Sequence, residues 1–178
     1  ALSYGVKEFL RSINVSKVTI GISGGIDSAV AAALYTSILG PKSILLINMP
    51  SIYNSQTTKG LAHKLASNLG CQYMIIPIQE SVEHTIEQLK TIPLENALPM
   101  QQHLSVSSFV AENRQARDRS SRVLAGVAAA FGSVFTCNAN KSELTVGYAT
   151  LYGDQAGFLA ALADLWKHQI YAVGEHIN

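Results

Sequence analysis

Charged residues are scarce in this chain, and so are cysteines and long apolar runs. Lysine, arginine, aspartate and glutamate make up only 14% of the 178 residues, and the formal net charge is +1 at pH 7. A chain so close to neutral gives no electrostatic reason to expect a nucleic-acid partner. The longest uncharged apolar stretch, residues 123–137, is too short for a membrane span and is broken by Gly126 and Gly132. We therefore expect neither a nucleic-acid nor a membrane partner.

The two cysteines, Cys71 and Cys137, form neither a C-x-x-C pair nor a metal-ligand spacing. Unpaired thiols in such small number favour a reducing compartment, and no signal peptide is visible, so we expect a cytoplasmic protein. Cys137 is expected to be a buried spectator thiol. The chain begins with alanine and stops at Asn178 inside an apparent helix. These ends predict that residues 1–178 are one domain taken from a longer protein.

Four short aliphatic or β-branched runs are typical of strands that are buried on both faces of a parallel sheet. They cover residues 17–22, 43–48, 72–78 and 133–138. Helical patterns at 27–39, 55–69, 79–91 and 106–131 alternate with them, and 93–103 is irregular. This alternation predicts a doubly wound parallel sheet in a three-layer α/β/α domain with right-handed crossovers.

The junction between the first strand and the first helix reads Ser-Gly-Gly-Ile-Asp-Ser, over residues 23–28. Backbone amides at such a junction point at a bound anion, and adjacent glycines let the main chain approach it closely. Ser23 and Ser28 add hydroxyl donors, whereas Asp27 would repel a bare phosphate and suits one that carries Mg²⁺. The motif therefore predicts a nucleotide with magnesium, although an ordinary strand-to-helix turn would have the same flanking elements.

Two other phosphate-binding loops do not fit these residues. The P-loop needs a lysine after its glycines, and the dinucleotide fingerprint needs a glycine spacing that Gly21, Gly24 and Gly25 do not have. The pattern S-G-G-x-D-S instead resembles the pyrophosphate loop of the N-type ATP pyrophosphatases, which transfer AMP from ATP to a substrate oxygen. That resemblance implies ATP contacts for Gly21, Ser23, Gly24, Gly25, Asp27 and Ser28.

The loop after the fourth predicted strand, Asn-Ala-Asn-Lys-Ser-Glu at 138–143, carries a second carboxylate. Ligands of doubly wound sheets lie beyond the carboxyl ends of the strands, where the strand order reverses. If the fourth strand lies beside the first, this loop faces the same cleft as residues 23–28. Asp27 and Glu143 would then share one magnesium ion.

Further segments extend the resemblance over essentially the whole chain. They are Met-Pro-Ser-Ile-Tyr-Asn-Ser at 49–55, Asn-Arg-Gln-Ala-Arg-Asp-Arg at 113–119, Thr-Leu-Tyr-Gly-Asp at 150–154 and Asp-Leu-Trp-Lys-His-Gln at 164–169. Their order and spacing resemble the synthetase domain of the NAD synthetase family. The first and third look more like the glutamine-dependent form, in which this domain is the carboxyl-terminal part and follows a nitrilase-like glutaminase.

The resemblance implies an ATP- and Mg²⁺-dependent amidation of deamido-NAD to NAD⁺. The nicotinate carboxylate would attack the α-phosphate of ATP to give an adenylated intermediate and pyrophosphate, and ammonia from the glutaminase would then displace AMP. It also implies a homodimer, because members of this family build the deamido-NAD pocket across a two-fold interface. Members continue past this point into a segment that closes over the phosphates, so the chain alone can hold the cleft without being a complete catalyst.

The resemblance also implies catalytic roles for Asp27, Lys167 and Asp154. Lys167 matches the lysine at the reacting phosphate and Asp154 the acid near the nicotinate, while Ser51 and Tyr53 match positions near the adenine of ATP. On the residues alone, Lys167 is equally well a solvated lysine that opens a terminal helix. An aspartate after Tyr-Gly is more often a turn or N-cap residue.

Substrate contacts are implied for Asn113, Thr150, Tyr152 and Asp154, and an ATP contact for Arg117. Asn113 and Arg117 lie at i and i+4, so they share one helix face, whereas Arg114 and Arg119 are expected to point elsewhere. The stretch Asp-Arg-Ser-Ser at 118–121 departs from the apolar residues that the family has there. We expect this departure on a face that packs within the domain or in a dimer.

Three other functions remain open on the sequence. A GMP synthetase-like enzyme would share the phosphate loop but lacks the pairing of the segments at 140–143 and 150–154. A tRNA-thiolating enzyme normally has paired reactive cysteines and a basic surface, and neither is present here. A non-catalytic nucleotide-binding fragment is the third alternative.

Overall fold

Four aliphatic runs form a parallel sheet at the centre of the chain. The computed structural model describes residues 1–52, 56–96 and 102–178. Its strands are β1 (Val18–Gly21), β2 (Ile44–Asn48), β3 (Gln72–Ile75) and β4 (Val134–Phe135), in the order β3-β2-β1-β4. All three pairings are parallel, with Val18 opposite both Ile44 and Val134. The expectation that the fourth strand lies beside the first is confirmed.

Helices precede and follow these strands. They are α1 (Leu2–Ser12), α2 (Ile26–Leu39), α3 (Gln56–Leu69), α4 (Gln79–Thr91), α5 (Ser108–Arg117), α6 (Ala125–Phe131), α7 (Lys141–Val146) and α8 (Lys167–Ile177). A π-helical segment (Asp118–Leu124) joins α5 to α6, and a short 3₁₀ turn (Pro41–Ser43) precedes β2. Within the described part of the chain, no helix is long and apolar enough to cross a membrane.

Alternating side chains of β2 separate the core into two apolar layers. Ile44 and Leu46 belong to a cluster with residues of α1, α2 and α3, whereas Leu45 and Ile47 belong to one with residues of α4, the π-helical segment and α6. Because helices contribute to both clusters, they cover the sheet on both faces, and the predicted three-layer α/β/α architecture is confirmed. Each fully buried aliphatic side chain in these layers contributes about 1.5–3 kcal/mol to stability.

Every strand is shorter than predicted, most of all the fourth, which was expected over 133–138 and is observed as Val134–Phe135. The third strand was expected over 72–78 but ends at Ile75, and one further bond, from Ile76 N to Asn48 O at 2.9 Å, precedes Pro77. Proline has no N–H to continue the ladder. Helix 79–91 has the predicted limits, and 106–131 is helical from Ser108 onward. The helices α1 and α7 were not expected.

Part of the irregular segment 93–103 lies outside the described residues, as does Ser55 at the predicted start of the second helix. On the two described sides of that segment, Leu94 N donates a hydrogen bond to Gln102 O at 2.8 Å.

Candidate functional site

A cleft with a volume of about 1090 Å³ opens at the carboxyl ends of β1, β2 and β4. It lies beside the junction of β1 and β4, where the strand order reverses, which is where doubly wound sheets bind ligands. From the first half of the chain it is lined by the predicted residues Gly21, Ser23, Asp27, Ser28 and Ser51. From the second half it is lined by Asn113, Glu143, Thr150 and Asp154. The volume is sufficient for a nucleotide-sized ligand.

The loop at 23–28 is held in shape by its own hydroxyl groups. Ser28 Oγ donates to Gly25 O at 3.0 Å and accepts a bond from Ser23 N at 3.3 Å, and Ser23 Oγ accepts one from Gly25 N at 3.2 Å. Gly24 has φ +88°, a conformation that favours glycine. Among the described residues, no side-chain hydrogen bond caps the first turn of α2, so the amides of that turn have no capping acceptor. This arrangement suits an anion.

Two carboxylates from opposite ends of the chain meet at the edge of this loop. The Asp27 side chain pairs with the ammonium of Lys167, and Lys167 Nζ also lies 4.0 Å from Glu143 Oε1. The loop after β4 therefore reaches the loop after β1, as predicted. The same ammonium contacts both of the acids that were expected to share a cation.

Asn140, which is fully buried, is hydrogen-bonded to both acids. Its Nδ2 donates to Asp27 Oδ1 at 2.9 Å, and its Oδ1 accepts a bond from Glu143 N at 3.1 Å. Glu143 Oε2 in turn accepts a bond from Asn140 N at 3.3 Å, which completes a capping box at the start of α7. The asparagine thus fixes the position of both carboxylates.

The donor set at Asp27 and Glu143 suits magnesium better than a metal that requires a complete protein cage. Within the described residues there is no group of three or more histidine, cysteine, aspartate or glutamate side chains that could hold a metal. Mg²⁺ commonly uses one or two carboxylates, with phosphate oxygens and water completing its octahedron. The ammonium of Lys167 already shows that a cation fits between these acids. The residues therefore fit an ion that arrives with a phosphate.

Arginine placement differs from the prediction because the helix changes its pitch at Asp118. Arg119 lines the cleft and its Nε donates to Met49 O at 3.3 Å, so the expectation that it points elsewhere is wrong. A π-helix has more residues per turn than the 3.6 assumed in assigning helix faces, which shifts the residues that follow. Burial lowers the pKa of the Arg119 guanidinium. Arg114 does point away, toward Thr85 and Asp118.

The departure from the family pattern at 118–121 packs inside the domain. Asp118 is fully buried and pairs with Arg114 at 3.0 Å and Arg122 at 2.7 Å, and it accepts a bond from Ser81 Oγ at 2.8 Å. Burial by itself would raise the pKa of Asp118, but bonds from Arg122 and Ser81 and the two guanidinium charges outweigh it and lower that pKa. Ser120 Oγ donates to Tyr152 O at 2.6 Å.

The wall of the cleft at 150–154 is a tight turn. Asp154 Oδ1 accepts a bond from Thr150 N at 2.8 Å, and a Cβ on Gly153 would lie 2.9 Å from Ala116 Cβ. Cys137 Sγ donates to Asp154 O at 3.5 Å, and burial raises the pKa of this thiol. Asp154 therefore has the structural role of a turn residue and also faces the cleft.

Some predicted residues lie beside the cleft rather than in its lining. Of the described candidates, Gly24, Gly25, Arg117, Tyr152 and Lys167 do not line it. Arg117 Nε donates to Leu151 O at 3.1 Å, and the Tyr152 side chain is 73% exposed. Asn113 Nδ2 donates to Phe109 O at 2.8 Å. Tyr53 lies outside the described residues.

Asparagines at strand ends hold the loops of the site in place, a role that the sequence reasoning missed. Asn48 Nδ2 donates to Ile22 O at 3.3 Å, and Asn138 Nδ2 donates to Gly21 O at 2.9 Å. Both line the cleft, and together with Asn140 they fasten the loop after β1 to its neighbours. Their positions in the sequence could have revealed this role, since each asparagine lies at or just beyond the carboxyl end of a predicted strand.

Comparison with known proteins gives consistent matches over the whole chain. The family model described as NAD synthase matches residues 1–178. The glutamine-dependent NAD(+) synthetases of Synechocystis sp. and Thermotoga maritima are 39% and 36% identical to this chain over 178 residues. These residues are 100% of this chain but only 30% and 29% of the two relatives. The glutamine-dependent NAD+ synthetase of Acinetobacter baumannii, solved in complex with ADP, superposes with a TM-score of 0.87 at 31% identity, over 98% of this chain and 31% of that one. The chain thus spans less than a third of the length of these relatives.

Proposed function

The chain belongs to the NAD synthase family, and from this premise we propose that its cleft transfers the adenylyl group of ATP to deamido-NAD and releases NAD⁺ after attack by ammonia. A carboxylate oxygen of the nicotinate ring forms a bond to the α-phosphorus of ATP, and the bond from that phosphorus to the pyrophosphate oxygen breaks. Ammonia then bonds to the acyl carbon and loses a proton, and the carbon–oxygen bond to AMP breaks. The products are NAD⁺, AMP and pyrophosphate.

One observation supports this proposal over the three other functions that the sequence left open. The loop at 23–28 and two carboxylates separated by most of the chain meet at one cation position beside a nucleotide-sized cleft. An ordinary strand-to-helix turn has no need of a second carboxylate held in place by a buried asparagine. The arrangement suits a substrate that carries several phosphates.

The phosphate loop binds the triphosphate of ATP. The groups that serve this are the main chain at Gly21, Gly24 and Gly25 and the hydroxyls of Ser23 and Ser28. Ser51, which is buried at the cleft wall, contacts the adenosine. The same role is proposed for Tyr53 from its position in the sequence alone. Lys167 contacts the phosphates as a point charge that follows the departing pyrophosphate.

Asp27 and Glu143 are the protein ligands of Mg²⁺. When bound there, the ion neutralises charge on the phosphate oxygens. Asn140 orients both carboxylates, Asp27 through its side-chain amide and Glu143 through its backbone N–H, and the loop amides hold the phosphates toward them. Preorganised donors of this kind stabilise developing charge without reorganisation during the reaction.

The second half of the cleft binds the nicotinate end of deamido-NAD. Asn113 and Thr150, which line the cleft, form this part of the site together with Tyr152 beside it, and Asp154 receives the ammonium ion and takes up its proton. Arg117, which also lies beside the cleft, contacts ATP. The bond from Thr150 N fixes the orientation of the Asp154 carboxylate. Arg119 supplies a further, half-buried cation for the substrate's negative charge.

The full-length protein is a glutamine-dependent enzyme in which a glutaminase domain delivers ammonia to this cleft. The small share of its relatives' length that the chain covers supports this.

The protein also forms a homodimer through an apolar surface near the cleft. This surface consists of Phe109, Val146, Tyr148, Leu151 and Tyr152. Each of these side chains is at least 60% exposed, and Phe109 and Tyr148 line the cleft.

Pyrophosphate release from ATP tests the proposal. The full-length protein is incubated with ATP, Mg²⁺ and ammonium chloride, which replaces the glutaminase reaction, and with deamido-NAD, XMP or tRNA in separate reactions. We expect AMP and pyrophosphate only with deamido-NAD. Release with XMP or tRNA alone would assign the chain to one of the other pyrophosphatases, and ATP binding without any pyrophosphate would make it a nucleotide-binding module.

A further inference from the structure

Lys167 occupies the position between the two acids that the proposed function assigns to magnesium. Its Nζ pairs with Asp27 Oδ2 and lies 4.0 Å from Glu143 Oε1. An ammonium group and a divalent ion cannot both remain at the same two carboxylates, because like charges at such short range repel strongly. One cation has to leave when the other enters.

We propose that Lys167 is a tethered cation that holds the magnesium position in the free protein and moves onto the triphosphate when metal and ATP bind together. This inference rests on the proposed function and adds to it the order in which metal and nucleotide bind. Lys167 makes the binding of the metal depend on the binding of the nucleotide. The lysine is then a coupling element as well as a phosphate ligand.

The acids stay in place when the lysine leaves. Asp27 accepts a bond from the fully buried Asn140, and Glu143 is fixed by the reciprocal bonds of the capping box. None of these bonds involves Lys167. The carboxylate pair therefore keeps its geometry without the ammonium.

The lysine is anchored at its backbone and exposed at its side chain. It is the first residue of α8, and its N–H donates to Ser142 Oγ at 3.0 Å. Farther along α8, Ile170 is fully buried and Gly174 packs closely against Ile26 and Val30 of α2. The Lys167 side chain is 40% exposed, against 19% for Asp27, and it ends a flexible four-carbon stem. Its ammonium can therefore move while its Cα stays fixed.

The exchange predicts positive coupling between metal and nucleotide. A metal ion that binds alone must displace the ammonium and leave it without a counter-charge. When ATP is present, the displaced ammonium pairs with phosphate oxygens, so the displacement costs less. Coupling of this kind is reciprocal and typically amounts to about 5–150-fold in affinity.

The experiment measures coupling by Mn²⁺ binding, detected by electron paramagnetic resonance of the free ion, with and without α,β-methylene-ATP. Wild-type protein is compared with Lys167→Met, Lys167→Arg and Lys141→Met. Lys141 is the matched control, since its Nζ lies over the Trp166 ring at 4.9 Å and removal of its charge alters the same region. Association of metal and nucleotide in solution is common to all samples and cancels in the ratios.

For Lys167→Met we expect Mn²⁺ alone to bind at least about tenfold more tightly than to wild type, and the coupling to fall by a similar factor. Lys167→Arg keeps a cation at the acids and should retain weak binding of Mn²⁺ alone. Equal effects of Lys167→Met and Lys141→Met, or unchanged affinity for Mn²⁺ alone in Lys167→Met, would overturn the proposal. Pyrophosphate release that depends on deamido-NAD would still support the proposed function. A wild-type protein that binds no nucleotide would overturn both.

Discussion

Asn140 is the residue on which both proposed metal ligands depend. Its amide group donates to Asp27, and its carbonyl oxygen caps the helix that carries Glu143. A buried side chain with two such bonds is costly to replace, because each lost partner leaves a polar group unsatisfied. The sequence showed Asn140 only as a member of a motif, since its partner Asp27 lies 113 positions away.

Asn140→Ser and Asn140→Ala separate the two roles of this side chain. Serine keeps an N-cap oxygen but loses the bond to Asp27, whereas alanine loses both. We expect alanine to lower the free energy of unfolding by about 1 kcal/mol more than serine, and both variants to weaken Mn²⁺ binding in the presence of nucleotide by about 10-fold or more. Urea unfolding and metal titration measure the two effects. A serine variant with wild-type metal affinity would show that Asn140 does not position Asp27.

The π-helical segment determines which arginine enters the cleft. Asn113 and Arg117 precede this segment and were expected together on one helix face, with Arg119 pointing elsewhere. The wider turn that begins at Asp118 puts Arg119 against Met49 O instead. Asp118 links both ends of the turn, because it pairs with Arg114 before it and Arg122 within it.

Asp118→Asn tests this link through its pH dependence. The pKa of Asp118 is lowered in the folded protein below the ordinary value of 3.8, so its contribution to stability is complete above that value and is lost as the pH falls through the folded pKa. We expect the variant to be less stable at pH 7 by about 1–3 kcal/mol, measured by urea unfolding, and the difference to shrink below pH 3.8.

Glu8→Gln provides the control, since Glu8 pairs with Arg11 at 3.2 Å on the exposed surface of α1. Exposed pairs contribute little, so its effect should stay within about 1 kcal/mol at every pH. An Asp118→Asn difference that persisted in acid would contradict a charge-dependent role.

Elements were predicted well where a periodic pattern ended in a definite signal. Helix α4 was located to the residue, and the sheet and its flanking helices follow from the alternation of aliphatic runs. The pitch change at Asp118 has no such pattern, because it depends on a buried charge network that includes Ser81 from another helix. The ion pair between Lys167 and Asp27 joins positions 140 residues apart and required the folded arrangement.

At the scale of the whole molecule, one side of the cleft carries an apolar surface that a monomer would leave in water. Tyr148 and Tyr152 are 78% and 73% exposed. The backbone of Tyr152 also adopts φ +61°, a value that residues other than glycine rarely adopt. Tyr4, on α1, is 72% exposed and lies outside this surface.

Tyr148→Glu is therefore expected to dissociate a dimer, because it would bury a carboxylate at a two-fold interface. Tyr4→Glu makes the same chemical change at matched exposure and should leave the dimer intact. Sedimentation velocity at micromolar concentration measures both. A wild-type protein that is a monomer at high concentration, with normal substrate affinity, would rule out this interface.

The transfer of oxygen from substrate to AMP tests the central claim most directly. The protein is supplied with deamido-NAD labelled with ¹⁸O in both oxygens of the nicotinate carboxylate, together with ATP, Mg²⁺ and ammonium chloride, and the AMP is analysed by mass spectrometry. If the carboxylate attacks the α-phosphorus of ATP, each AMP carries one labelled oxygen and each NAD⁺ retains the other. Unlabelled AMP, or ADP and phosphate in place of AMP and pyrophosphate, would contradict the account.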